Sequence, residues 1–153
     1  MAIEDDIVLF ERIPTLALLG REALRMLAIG ADSRYVHGGS VLFREGEIAD
    51  CGYTIQEGSF NLTAERGEGA ITVGQGALLG ELALIIETRR PVTATAREPS
   101  TVIRIPRGLF LRTLEGYPDA AVRLRAEIDS RIDRSTSDLG RVRTALSSSP
   151  KAP

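Results

Sequence analysis

The sequence predicts a mainly β protein with flanking helices, a jelly-roll β-sandwich with N-terminal helices and a long C-terminal helix. Three observations predict it. Across residues 33–105, short alternating apolar runs are divided by glycine-rich turns, the pattern of an all-β sandwich or barrel. On both sides of that stretch the apolar spacing lengthens to that of helices. The chain has 153 residues, 43% of them hydrophobic, which fits one domain with a core of its own.

Ile3, Ile7, Val8 and Phe10, with acids between them, predict a short first helix. Pro14 opens a second segment. Leu16, Leu18, Leu19, Leu24 and Leu27 then predict an amphipathic helix over 16–28 that Gly20 breaks internally. In the middle of the chain, turns fall at 37–39, 45–47, 57–58, 66–69 and 74–76, each carrying glycine. Between them lie strands at 41–43, 53–55, 60–63 and 71–73, and 102–105 is the last strand. Helical pattern resumes at Pro106. Leu109, Phe110 and Leu114 share one face, and Gly116 ends that helix. Pro118 suits a first helical turn, with Asp119 near the positive dipole end. The helix that follows runs from 118 to about 146, with apolar positions Ala121, Ile128, Ile132, Leu139, Val142 and Leu146. From Ile128 the spacing alternates four and three if Ser135 is counted, a short heptad seam. A helix packed on its own domain and a dimer helix both satisfy that pattern. The division expected is one domain over 1–146, with a β-roll at about 33–105 and C-terminal helices at about 106–146. Residues 147–153 are expected to be a disordered tail.

Composition excludes several functions. Nineteen basic and 21 acidic residues leave a net charge of −2, which is not a nucleic-acid-coating surface. The excess of arginine in 123–143 is offset by Asp and Glu on the same helix, so direct DNA reading is not expected. Cys51 is the single cysteine, which forbids a disulfide within the chain and suits a reducing cytoplasm. It reads as a loop residue with no role. No apolar run approaches a membrane span, and the acidic N-terminus lacks an apolar signal core. The expectation is a soluble cytoplasmic protein. His37 is the single histidine, so no cupin-type metal set, Ser-His-Asp or Cys-His arrangement can be assembled elsewhere. An enzyme is not expected, and neither is a metal or a resident cofactor.

The chemistry concentrates in residues 80–96, GELALIIETRRPVTATA. Arg90 follows Glu81 by nine positions and precedes a β-rich run. A cyclic phosphate carries one negative charge on two exocyclic oxygens, and a guanidinium fork matches that geometry bidentately. A ribose hydroxyl needs an acceptor, and a carboxylate is the strongest available. A short helix opening at Gly80 would add backbone donors. The alternative is an ordinary buried helix in which Glu81 and Arg90 form a structural ion pair.

This segment resembles the phosphate-binding cassette of cyclic-nucleotide-binding domains, as in the catabolite activator protein and the regulatory subunits of protein kinase A. The kinase-type cassette has the same Glu-to-Arg spacing and opens with the run found here as Gly80, Glu81, Leu82, Ala83, Leu84 and Ile85. Residues 39–47 resemble that family's first β hairpin, and 53–58 its next strand and glycine turn. Residues 90–140 line up with the catabolite activator protein without gaps, with Phe110, Pro118 and Gly140 on matching residues. The resemblance spans about 9–140, and no helix-turn-helix follows Gly140 in this sequence. It implies a stand-alone sensor for cyclic AMP, with cyclic GMP or a cyclic dinucleotide as other ligands of the fold. Arg90 would hold the phosphate and Glu81 the ribose, with backbone contacts from Gly80, Leu82 and Ala83. Leu79 and Val92 would line the pocket. Ser135 and Thr136 fall where adenine is contacted from the two subunits of a homodimer joined through helix 118–146.

One residue departs from the family. After the key Arg, relatives carry Ala, Ser or Thr, whose N–H donates to the phosphate; here Pro91 has no N–H. A lost donor to a charged group costs about 1–3 kcal/mol, roughly ten- to hundredfold in affinity. Nor does Pro91 have the hydroxyl some cyclic-GMP sites use. Arg89 is a second guanidinium able to compensate. Two readings therefore stand: a nucleotide sensor, or a degenerate domain that no longer binds nucleotide and serves as a module for an unidentified protein partner.

Overall fold

The computed structural model describes residues 3–66 and 69–130. Three helices come first: α1 (Ile3–Glu11), α2 (Pro14–Ala17) and α3 (Arg21–Gly30). The segment expected as one interrupted helix over 16–28 is thus two. Gly20, at φ 88°, belongs to neither and caps the start of α3. A tertiary contact explains the clean break. Arg123, far along the chain, donates to the carbonyls of Leu18 (2.7 Å) and Leu19 (3.3 Å), which satisfies the end of α2.

Ten strands follow: β1 (Asp32–Val36), β2 (Val41–Phe43), β3 (Ile48–Ala49), β4 (Cys51–Glu57), β5 (Phe60–Thr63), β6 (Ile71–Val73), β7 (Leu78–Leu79), β8 (Thr88–Arg89), β9 (Thr93–Ala96) and β10 (Ser100–Pro106). They form two antiparallel sheets, β1-β10-β4-β7 and β2-β9-β5-β6, with a ribbon of β3 and β8. This is the jelly-roll expected. Residues 39–47 are not a hairpin, however. β2 pairs with β9 and β3 with β8, because in a roll the chain crosses between sheets where a hairpin would return along the same one. The crossing from β4 to β5 needs Gly58, at φ 97°. A Cβ there would lie 2.1 Å from the Ser100 hydroxyl, which in turn accepts from the Ser59 N–H.

Two cores result, and β10 separates them. Val102 faces the roll interior with Val36, Phe43, Cys51, Tyr53 and Phe60. Ile103 and Ile105 face the other way, onto Phe10, Leu24, Leu27, Phe110 and Leu124 of the helices. Strand alternation sends neighbouring residues to opposite faces, so a strand apolar on both can serve two cores.

After β10 come α4 (Arg107–Gly116) and a fifth helix, α5, at 118–130. Pro118 opens it as expected. Its core face is Ala120 and Leu124, both almost fully buried, with Ile128 packed partly against them. Ala121, expected on that face, is half-buried. Ile128 lies on the expected face, whereas Ala120 takes the place expected of Ala121, and Leu124 adds to it. Over 118–130 the helix packs on its own domain. Ile132, Ser135, Thr136, Leu139, Val142 and Leu146, the dimer seam and the tail at 147–153 lie outside the described residues.

Candidate functional site

The cassette bridges the two cores. β7 carries Leu79 into the roll interior, and a 3₁₀ turn at Leu82–Leu84 carries Leu84 into the helical core. The short helix expected at 80–86 is this turn. Its hydrogen bonds run from Ala83 N–H to Gly80 O (3.1 Å) and from Leu84 N–H to Glu81 O (3.1 Å). Ala83 N–H is thereby engaged within the turn itself.

Arg90 follows β8 and is fixed by its main chain. Its N–H donates to Glu47 O and its carbonyl accepts from Gly46 N–H, each at 2.8 Å. The side chain turns inward and is only 5% exposed. The guanidinium carbon sits 4.3 Å from the centroid of Phe43 and 5.5 Å from that of Tyr53, and Nη2 donates to Cys51 Sγ at 3.3 Å. Nη1 is buried and has no hydrogen-bond partner among the described residues. Gly80 makes this placement possible. At φ 82° it occupies the left-handed region, and a Cβ on it would stand 2.3 Å from Arg90 Nη1 and 3.1 Å from Cys51 O.

Among the described residues, no carboxylate pairs with Arg90, so the structural ion pair with Glu81 is not formed. Glu81 Oε2 instead accepts from the Thr15 hydroxyl of α2. Tyr53 does not neutralise Arg90 either. Burial first, then the hydrogen bond with Cys51, pushes its phenol up to about 12, so it stays protonated at neutral pH. A buried cation with rings and a thiol for company and an unanswered N–H is costly unless an anion arrives.

A cavity of about 230 Å³ opens on this group, lined by Ala49, Gly80, Glu81, Ala83, Arg90 and Pro91, with Leu82 and Arg89 at its exposed edge. Gly80, Glu81, Leu82, Ala83, Arg89, Arg90 and Pro91 are thus brought together. Arg89 donates to Gly46 O at 2.8 Å. Leu79 and Val92 do not line the cavity; both pack against the roll core beside it. Ser135 and Thr136 lie outside the described residues.

Besides Thr15, two contributors went unread in the sequence. Cys51 is no loop residue. It opens β4, is 1% exposed and holds Arg90; the alternation Cys51, Tyr53, Ile55 was the available signal. The other is Arg107, whose Nη1 donates to Ala49 O (3.1 Å), Ala83 O (3.2 Å) and Ile86 O (3.0 Å). It ties the cassette to the start of α4. A cation in a first helical turn opposes the dipole, which marks it as placed for a tertiary contact.

The chain belongs to the cyclic nucleotide-binding domain family, whose sequence pattern matches residues 33–117. A solved cyclic nucleotide-binding-like protein from Brucella abortus is 42% identical, with a TM-score of 0.65 over 72% of this chain and 98% of that one. A cAMP-dependent protein kinase regulatory subunit from Yarrowia lipolytica is 30% identical over 68% of this chain and 28% of its own length. A lysophospholipase from Chaetomium globosum is 31% identical over 63% of this chain. The chain spans only 7% of that protein's length. Among the described residues, no helix is long and apolar enough to cross a membrane.

Proposed function

We propose that this domain is a non-enzymatic regulatory module that binds a cyclic nucleoside monophosphate, cyclic AMP before cyclic GMP, and passes occupancy to its C-terminal helices. The observation that carries this is Arg90. It is a buried guanidinium with no carboxylate partner among the described residues, and its Nη1 is unpaired beside a glycine no side chain could replace. A cyclic phosphate supplies the missing charge and acceptors together. Glu81 would accept from the ribose hydroxyl, with backbone from Gly80 and Leu82. The kinase regulatory subunit relative favours cyclic AMP, and Pro91 offers no hydroxyl for cyclic GMP. Ser135 and Thr136 would complete a purine contact, across a homodimer formed through helix 118–146.

Arg107 supports the transmission, since one side chain holds the cassette and opens α4. A ligand acts there only by favouring one helix arrangement over another. A second reading follows from Pro91: a site short of one phosphate donor is a route to a module that has kept the fold and turned to protein partners.

Calorimetric titration with cyclic AMP and cyclic GMP tests this. Micromolar or tighter binding to the parent is expected, with loss of at least a hundredfold in Arg90→Ala and Glu81→Ala and no change in fold by circular dichroism. Variants that bind like the parent would sink the cassette assignment. Absence of heat from the parent would favour the interaction module.

A further inference from the structure

We infer that Thr15, on α2, is a positioning residue for ribose recognition: its hydroxyl holds Glu81 so that the carboxylate meets the ribose 2′-OH in one fixed orientation. The inference rests on the cyclic-nucleotide reading of the cassette. Thr15 and Glu81 are 66 positions apart, on an N-terminal helix and on the cassette, and the hydroxyl donates to Glu81 Oε2. Thr15 is 4% exposed and its contact with Glu81 is partly buried, and a bond to a charged acceptor is among the stronger ones. α2 starts on Pro14 at its first turn, and its N-cap, Ile13, makes no side-chain cap.

Glu81 stands in the wall between two cavities. One is the 230 Å³ cavity it shares with Arg90. The other, about 360 Å³, lies on the helical side and is lined by Ile13, Thr15, Leu78 and Glu127. Glu81 thus borders both cavities, and α2 meets its carboxylate from the helical side. An ionised carboxylate offers about four lone-pair sites, so it accepts from Thr15 and from a ribose hydroxyl together. A glutamate left to itself has several rotatable bonds to freeze on binding. Fixing the carboxylate in advance lowers that cost. Discrimination for the 2′-OH then depends on a residue the nucleotide does not touch.

The test measures dissociation constants of cyclic AMP and 2′-deoxy-cyclic AMP for the parent, Thr15→Val and Thr15→Ser. The parent should prefer cyclic AMP by ten- to hundredfold. Thr15→Val, which keeps the shape and drops the hydroxyl, should weaken cyclic AMP severalfold and leave the 2′-deoxy ligand unchanged, so that the preference collapses. Thr15→Ser should restore it. A general loss of stability weakens both ligands alike and cannot move their ratio. A Thr15→Val variant with the parental ratio overturns the inference while leaving the cassette reading intact. A parent that binds neither nucleotide overturns that reading and the inference with it.

Discussion

At the scale of single residues, the site is governed by one charge and one missing side chain. Arg90 is held by Phe43, Tyr53 and Cys51, none of which is a carboxylate, so its charge stays available to an anion. Gly80 gives the guanidinium a surface to lie against, because its absent Cβ would overlap Nη1. Pro91 works in the opposite direction, lining the cavity without an N–H to offer. Pro91→Ala should therefore tighten cyclic AMP binding about ten- to hundredfold, the equivalent of one restored donor to a charged group. Calorimetry on the two proteins side by side checks this. Unchanged affinity would mean that the phosphate takes its donors elsewhere, with Arg89 the first candidate.

At the scale of elements, the cassette owes its position to its neighbours more than to itself. Its 3₁₀ turn is three residues long, too short to hold its own shape. Leu84 anchors it in the helical core, and Arg107 draws the carbonyls of Ala83 and Ile86 toward α4. Arg107→Ala should cost about 1.5–3 kcal/mol, the range for hydrogen bonds to a charged group. It should also raise amide hydrogen exchange across 82–86 before it affects strands of the roll. If exchange rises uniformly over the whole domain, Arg107 stabilises the fold in general and does not couple cassette to helix.

At the scale of the whole molecule, two cores share one strand. Val102 belongs to the roll interior and Ile103 and Ile105 to the helical side, so neither core can come apart without exposing β10. Phe60 and Phe110 are each completely buried, one in each core. Truncating either to Ala should cost about 3–5 kcal/mol. Helical and β signals should lose stability together in urea, followed by far-ultraviolet circular dichroism. A Phe60→Ala protein whose helical signal kept the parental midpoint would show two independent folding units. Under the proposed function, cooperative coupling of this kind would let a ligand in the roll be felt at α4 and α5.

Much of this protein was legible in its sequence, because the signals involved are local. Alternation and glycine turns across 33–105 specify a roll, since strand period and turn chemistry act within a few residues. The nine-residue interval from Glu81 to Arg90 suits a phosphate and a ribose and equally an ion pair, and the resemblance to the cyclic-nucleotide cassette is what implies the former. Pairing was not legible: residues 39–47 resemble the family's first hairpin, yet β2 and β3 join different partners, because register depends on strands distant in sequence. The roles of Cys51, Arg107 and Thr15 were hidden for the same reason. Each acts on the cassette through a contact between residues far apart in the chain. Sequence alone determined the class of fold and which residues carry the charge. The tertiary structure decided that Arg90 is buried without a counter-charge among the described residues and that Glu81 faces a helix as well as a cavity, since burial and partnership exist only once the chain has closed on itself.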